Sequence, residues 1–466
     1  MQLRVGFLLS LVLLLGFLLS LEPKAQTADS HGASSQPRAA APMEVPYRQF
    51  TLPNGLNVIL HQDRSVPVVA VNTWYHVGSA NEKPGRTGFA HLFEHLMFEG
   101  SGHVKEGEFD TLLESAGGEN NGSTENDRTN YIIDVPSNAL ELALFLESDR
   151  MGYLLNTMSP ERVNGQRDVV KNERRQSFEN RPYGMASIAL DEMLWPENHP
   201  YHWPTIGSME DLTAASFDDV VAFFKKYYAP NNASLVIAGD IDLDRTQQLV
   251  EKWYGEIPRG AFVEPVAPPA AFLTSVKKQT LTDRVELPRL YLGWLTPRIY
   301  SPGDAALDVA AYVLAGGKNS RLYKRLVYDT QMAQDVYAMQ HSMALGSSFL
   351  IVATARPGVK LADIQKIIDE EIDRLRREPP DDREMQRAKN QIEAAFYRQI
   401  EKVGGFSGKA DQLNGYFAFA GGNPDYFGED LARYTALSPS DIRAAALHWL
   451  PPDRRVELNV EPEKKP

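Results

Sequence analysis

Cysteine is absent from all 466 residues. That absence removes disulfide scaffolds, cysteine nucleophiles and thiolate metal sites together, and leaves histidine and the carboxylates as the candidate ligand types. Positive charge is also scarce. Forty-eight Lys and Arg residues stand against 61 Asp and Glu, for a formal net charge of −13. No Lys/Arg cluster stands out as a phosphate footprint, so the balance argues against nucleic-acid binding. What is present is ordinary: 43% hydrophobic and 23% charged residues are globular fractions, so a sizeable core is available. The length accommodates two or three domains.

The first residues supply an address. Arg4 gives a positive start, residues 5–21 form an apolar run broken only by Gly and Ser, and small residues follow around Ala25 and Ala28. This reads as a secretory signal peptide over residues 1–28. An uncleaved anchor is the alternative, because the run approaches the length that spans a bilayer. Without a cysteine after the run, a lipoprotein attachment is excluded. The expectation is a periplasmic protein with no stable membrane insertion once the signal is cut. Residues 29–43, rich in Ser, Ala, Gln and Pro, read as a flexible leader.

The most informative stretch is residues 88–100. Its polar side chains before the terminal Glu99 are His91, Glu94 and His95, and every other side chain is apolar. In a helix, positions i, i+3 and i+4 share a face, so these three groups converge. Burying two imidazoles and a carboxylate without partners is costly, about 1–3 kcal/mol or more per group. A divalent metal held by the histidines, with the glutamate beside its bound water, offsets that cost. The order H-x-x-E-H inverts the common zinc-protease motif; alone it is a weak match, but here it lies on an otherwise apolar helix ended by Gly100.

A catalytic zinc site commonly takes three protein ligands and keeps one position open. A helix opened by Ser159 and Pro160 carries Val163, Gln166, Val170 and Glu173 along one stripe, and Glu173 is the candidate third ligand. A surface salt-bridge partner is the competing reading for Glu173. Glu94, beside the open position, suits a general base.

The rest of the chain supplies an α+β frame. Strands are expected at 47–52, 57–61, 68–77, 131–136 and 233–240, with helices at 107–115, 140–151, 185–194, 216–228 and 243–254. Residues 119–124 read as a polar segment of small residues. A proline-rich linker, 258–280, divides a zinc-binding half (44–257) from a second half (281–460). The second half repeats the strand, spacer, helix and glycine stop of the first. Opposite His91, Glu94 and His95 it carries Leu307, Ala310 and Ala311, so the duplicate keeps the plan and not the site. Helices are expected there at 361–377, 382–403 and 438–449, and strands at 290–295, 349–353 and 455–460.

From about Tyr47 to Val460 the chain resembles the M16 metallopeptidases, the family of pitrilysin, insulin-degrading enzyme and mitochondrial processing peptidase. The motifs are residues 52–56, 88–98, 121–131 and 169–174, and Ser320-Arg321-Leu322-Tyr323. The resemblance implies two homologous αβ domains, each with a mostly antiparallel sheet packed by helices. It implies one zinc ion on His91, His95 and Glu173, with Glu94 as the general base. It also places a substrate-contacting asparagine at Asn121, on an edge strand that takes a peptide by β-augmentation. Gln166 stands where the family often has a second glutamate and is expected to hydrogen-bond behind the ligands.

One departure is more consequential. Family members that work alone use an Arg and a Tyr from the second half on the substrate carbonyl; those positions fall on Val327 and Gln334 here. Arg325, Tyr328 and Tyr337 are nearby in sequence. The expectation is therefore a zinc endopeptidase for unfolded peptides or small proteins that pairs with a homologous subunit lacking the zinc motif. A self-sufficient homodimer and an inactive structural or chaperone-like subunit are the alternatives.

Overall fold

The computed structural model describes residues 43–463. The expected signal peptide and the leader up to residue 42 lie outside the described residues. In the first half the chain runs through β1 (Arg48–Thr51), β2 (Asn57–Gln62), β3 (Val68–Tyr75), α1 (Phe89–Leu96), α2 (Glu108–Ser115), β4 (Glu119–Thr124), β5 (Thr129–Pro136), α3 (Leu140–Tyr153), α4 (Pro160–Arg174), α5 (Met185–Leu194), α6 (Met209–Ala214), α7 (Phe217–Tyr227), β6 (Ala233–Gly239) and α8 (Leu243–Tyr254). It continues through β7 (Lys277–Asp283), β8 (Arg289–Thr296), α9 (Asp304–Ala315), α10 (Arg321–Tyr323), β9 (Ala333–His341), β10 (Ser347–Ala355), α11 (Leu361–Arg377), α12 (Asp382–Ile400), α13 (Lys409–Phe419), α14 (Phe427–Thr435), α15 (Pro439–Trp449) and β11 (Val456–Pro462).

Two sheets organise these elements, ordered β1-β2-β6-β3-β5-β4 and β7-β11-β8-β10-β9. The β2/β6 and β7/β11 pairs are parallel, and the other neighbours are antiparallel. The class is α+β, as the sequence implies. β6 is buried along its whole length and β3 is buried after its first residue, which is why they read as nearly continuous apolar runs and lie in the centre. β4, with the sequence ENNGST, has nothing to bury and occupies an edge.

Period-2 alternation then splits each strand between two cores. Val58, Leu60, Val69, Val71, Leu235 and Ile237 face the core under α1, α3 and α7. Ile59, Ala70, Val236 and Ala238 face the opposite side, where Phe396, Leu413, Tyr416 and Phe427 cover them. Those covering residues come from α12, α13 and α14, in the second half of the sequence. The exchange is reciprocal. Tyr291, Val352, Val456 and Leu458 of the second sheet pack under Ala186, Ala189, Leu190 and Met193 of α5.

Polar groups fix α13 on its foreign sheet. Asn414 donates to the carbonyl and Oδ1 of Asn72 at 3.1 and 2.8 Å and to the Ser234 carbonyl at 3.3 Å. Asp411 accepts from Trp74 Nε1 at 2.9 Å and from Asn130 at 2.7 Å, and Lys409 pairs with Asp63. The sequence reading contained none of β7, β9, α13 or α14. β7 opens at Lys277, inside the expected 258–280 linker, and the expected helix at 382–403 stops at Ile400.

The duplication is visible as geometry. α1 follows central strand β3 and α9 follows β8, and each helix starts after a left-handed glycine, Gly88 at φ 86° and Gly303 at φ 98°. Leu307, Ala310 and Ala311 are buried in the second core, so that helix face was given over to packing.

Candidate active site

α1 is short and must be aimed accurately, and the fold fixes both of its ends. At the N-terminus a side chain at Gly88 would meet the Ile206 carbonyl at 2.9 Å, so only glycine allows α1 to start there. Glu82 Oε2 accepts the Gly88 N–H at 2.9 Å and Oε1 accepts the Ala90 N–H at 2.8 Å, capping donors that have no partner within the helix. At the other end Arg150, itself paired with Glu147, lies 5.1 Å from the Phe98 ring and 4.3 Å from the Tyr131 ring.

Three donor atoms meet on the exposed side of α1. His91 Nε2 lies 3.6 Å from Glu173 Oε2, and His95 Nε2 lies 3.3 Å from the same oxygen. One atom from each of the three side chains falls within 4.8 Å of the others. Four ligands at about 2.0–2.1 Å in a tetrahedron stand about 3.4 Å apart, so the spacing and the donor types both fit zinc. Glu173 is carried by α4, which packs on α1 and buries Val163 and Val170. Ser159 caps that helix by accepting the Arg162 N–H, with Pro160 at its first position.

The electrostatics suit the arrangement. Burial foremost, and the neighbouring His95 ring, push His91 down to about 4, which keeps its imidazole neutral and its lone pair available. The hydrogen bond from His95 foremost holds Glu173 below the usual carboxylate value. Glu94 moves the other way: burial raises it, against a lowering hydrogen bond from Thr124. A candidate ligand carboxylate held low beside a second carboxylate held high is an arrangement that can divide metal binding from proton transfer.

The remaining expected residues fall as follows. Asn121 lies on β4 with its side chain exposed, and its Oδ1 accepts the Gly122 N–H at 2.8 Å. Among the described residues β4 pairs with β5 alone, which leaves its outer backbone edge unpaired. Gln166 donates to Glu99 Oε1 at 2.6 Å, tying α4 to the turn after α1 rather than touching a ligand side chain. Sequence reasoning missed Thr124 and Glu82. Thr124 was accessible through the strand period, since residues 122 and 124 share the face turned to α1. Nothing local marks Glu82, because its role exists only once the loop folds back on α1.

The second half matches the departure noted above. Val327 is 8% exposed in the π-helical segment Lys324–Asp329 that continues α10, and Gln334 is exposed at the start of β9. Arg325 is held by Glu370 at 2.7 Å and Glu371 at 2.8 Å, so it is committed to α11. Tyr328 and Tyr337 are exposed.

Two family models cover this frame. Insulinase (Peptidase family M16) matches residues 57–195, and Peptidase M16 inactive domain matches residues 214–392. A Helicobacter pylori protein named zinc protease PqqE is 29% identical over 384 residues, 81% of this chain and 84% of its own. A Streptomyces coelicolor protein named as an uncharacterized zinc protease is 26% identical over 89% of both chains. The crystal structure of a protease from Helicobacter pylori superimposes with a TM-score of 0.81 at 27% identity, covering 90% of this chain and all of that one. A chain of the complex III dimer from Candida albicans shares the fold alone, at a TM-score of 0.75 and 16% identity. With the H-x-x-E-H helix, the distant glutamate and the duplicated sheets in one frame, the chain belongs to the M16 peptidase family.

Proposed function

We propose that this protein is a zinc-dependent endopeptidase of the exported compartment, acting on unfolded peptides or small proteins. The observation that carries the reading is the meeting of His91, His95 and Glu173, with Glu94 one residue from His95 and free of metal duty. His91, His95 and Glu173 would hold the ion. A bound zinc supplies Lewis-acid charge for water and for the scissile carbonyl. Glu94, raised by burial, takes the proton of the attacking water and returns it to the leaving amine. The open edge of β4 holds the peptide main chain in extended form, with Asn121 beside it, so sequence tolerance follows from backbone recognition.

The Arg/Tyr positions of the second half hold a buried valine and a glutamine, and Arg325 is tied to α11. These features support a homologous partner subunit, lacking the zinc motif, that contributes the missing carbonyl donors. The testing experiment is metal analysis with peptide hydrolysis on Glu94→Gln and Glu173→Gln. Glu94→Gln keeps about one zinc per chain and loses about 10²–10⁴-fold in rate, whereas Glu173→Gln loses zinc as well. Wild-type protein that takes up no zinc overturns the reading.

A further inference from the structure

Glu94 meets the edge strand β4 at two points. Thr124 Oγ1 donates to Glu94 Oε2 at 2.7 Å. Two residues earlier on the same face, a side chain at Gly122 would come within 2.9 Å of Glu94 Cγ and 3.3 Å of its Oε1 and of the Phe98 ring. Gly122 has no positive φ, so its glycine serves the close approach of α1 and not an unusual backbone. The base thus lies flat against the strand whose other edge is open to substrate.

We propose that Thr124 is a positioning residue for Glu94. This rests on Glu94 being the general base. Its hydroxyl commits Oε2 to β4, which leaves Oε1 as the oxygen that takes the water proton. The strand that holds the peptide backbone and the strand that orients the base are then the same six residues, Glu119–Thr124. Base and scissile bond share one rigid reference, and their alignment is fixed before substrate arrives. Gly122 sets the depth of the carboxylate and Thr124 sets its rotation.

The test is Thr124→Val, which keeps the β-branched shape and removes the donor, compared with Thr124→Ser, which keeps it. Both are prepared zinc-loaded, with the homologous partner present where the complex is the active form. Thr124→Val is expected to keep its zinc stoichiometry and a KM within about twofold of wild type. Its kcat falls about 10- to 100-fold, in line with the cost of a misplaced catalytic group. Thr124→Ser recovers most of that loss. A crystal structure of Thr124→Val shows the Glu94 carboxylate rotated off β4. An undiminished kcat, an equal loss in Thr124→Ser, or an unmoved Glu94 each overturns the proposal. Glu94→Gln run in parallel separates the two levels. An active Glu94→Gln removes the general-base reading beneath, whereas an inactive one beside a fully active Thr124→Val removes the positioning role alone.

Discussion

Single carboxylates in this protein are shifted in opposite senses, up by burial and down by hydrogen bonds, and the candidate active site is not the only place. Asp308 on α9 is pushed up to about 7, by burial foremost and then by Asp304. It lines a cavity of about 310 Å³ shared with Asp304, Asp430, Arg433 and Tyr434. Tyr434 donates to its Oδ2 at 2.9 Å. A folded-state value above the ordinary carboxylate value means the native protein holds this proton more tightly than the unfolded chain. The contribution to stability is therefore complete below about pH 4 and is lost as pH rises through about 7. Asp308→Asn keeps an acceptor for Tyr434 and removes the titration. Its unfolding free energy is expected to vary less between pH 4 and 8 than that of wild type. At pH 8 it should exceed wild type by on the order of 1–3 kcal/mol. Urea unfolding at several pH values measures this, and parallel curves for the two proteins contradict it.

At the scale of elements, α13 supports the first sheet although it belongs to the second half of the sequence. Asn414 is buried and bonds to both β3 and β6 through Asn72 and Ser234. Asn414→Ala leaves those groups without partners in a buried layer, a loss of about 2–4 kcal/mol. Chemical denaturation is the measurement, and a loss under about 0.5 kcal/mol would show that the layer does not depend on this contact. The same helix shows where the sequence stopped being legible. α1, β3 and β6 declare themselves because a strong period or an apolar run encodes their burial locally. The face of α13 that meets β3 and β6 mixes apolar Leu413 and Tyr416 with polar Asp411 and Asn414, and its polar partners lie about 340 and 180 residues away. β9 alternates buried Ala333, Val336 and Gln340 with exposed Tyr337 and Met339, a pattern too mixed to read as a strand. The metal face was legible because its residue types are incompatible with a buried helix unless they share a task. Glu82 was not, because it acts only through a contact that folding creates, and Thr124 was open only to the two-residue strand period that sets it on the same face as Gly122.

Among its described residues the molecule as a whole carries one set of candidate ligands and a second copy of the same plan without them. Under the proposed function, this chain alone is expected to cleave unfolded peptides weakly. Addition of a homologous chain with an Arg and a Tyr at the positions of Val327 and Gln334 should raise kcat/KM by about 10²–10³-fold, the worth of carbonyl donors in a closed site. Full activity in the isolated chain, measured with quenched peptides, contradicts this. The crossed helices also have a bearing on synthesis. The sheet that holds α1 and β4 stays uncovered on one face until residues 409–419 have been made and have folded back. A nascent chain therefore completes the layers around its candidate site almost last. Prematurely terminated products that end before α13 contain His91, Glu94, His95 and Glu173, yet lack the layer that seals the sheet. Such fragments are expected to be protease-sensitive rather than active as unregulated peptidases.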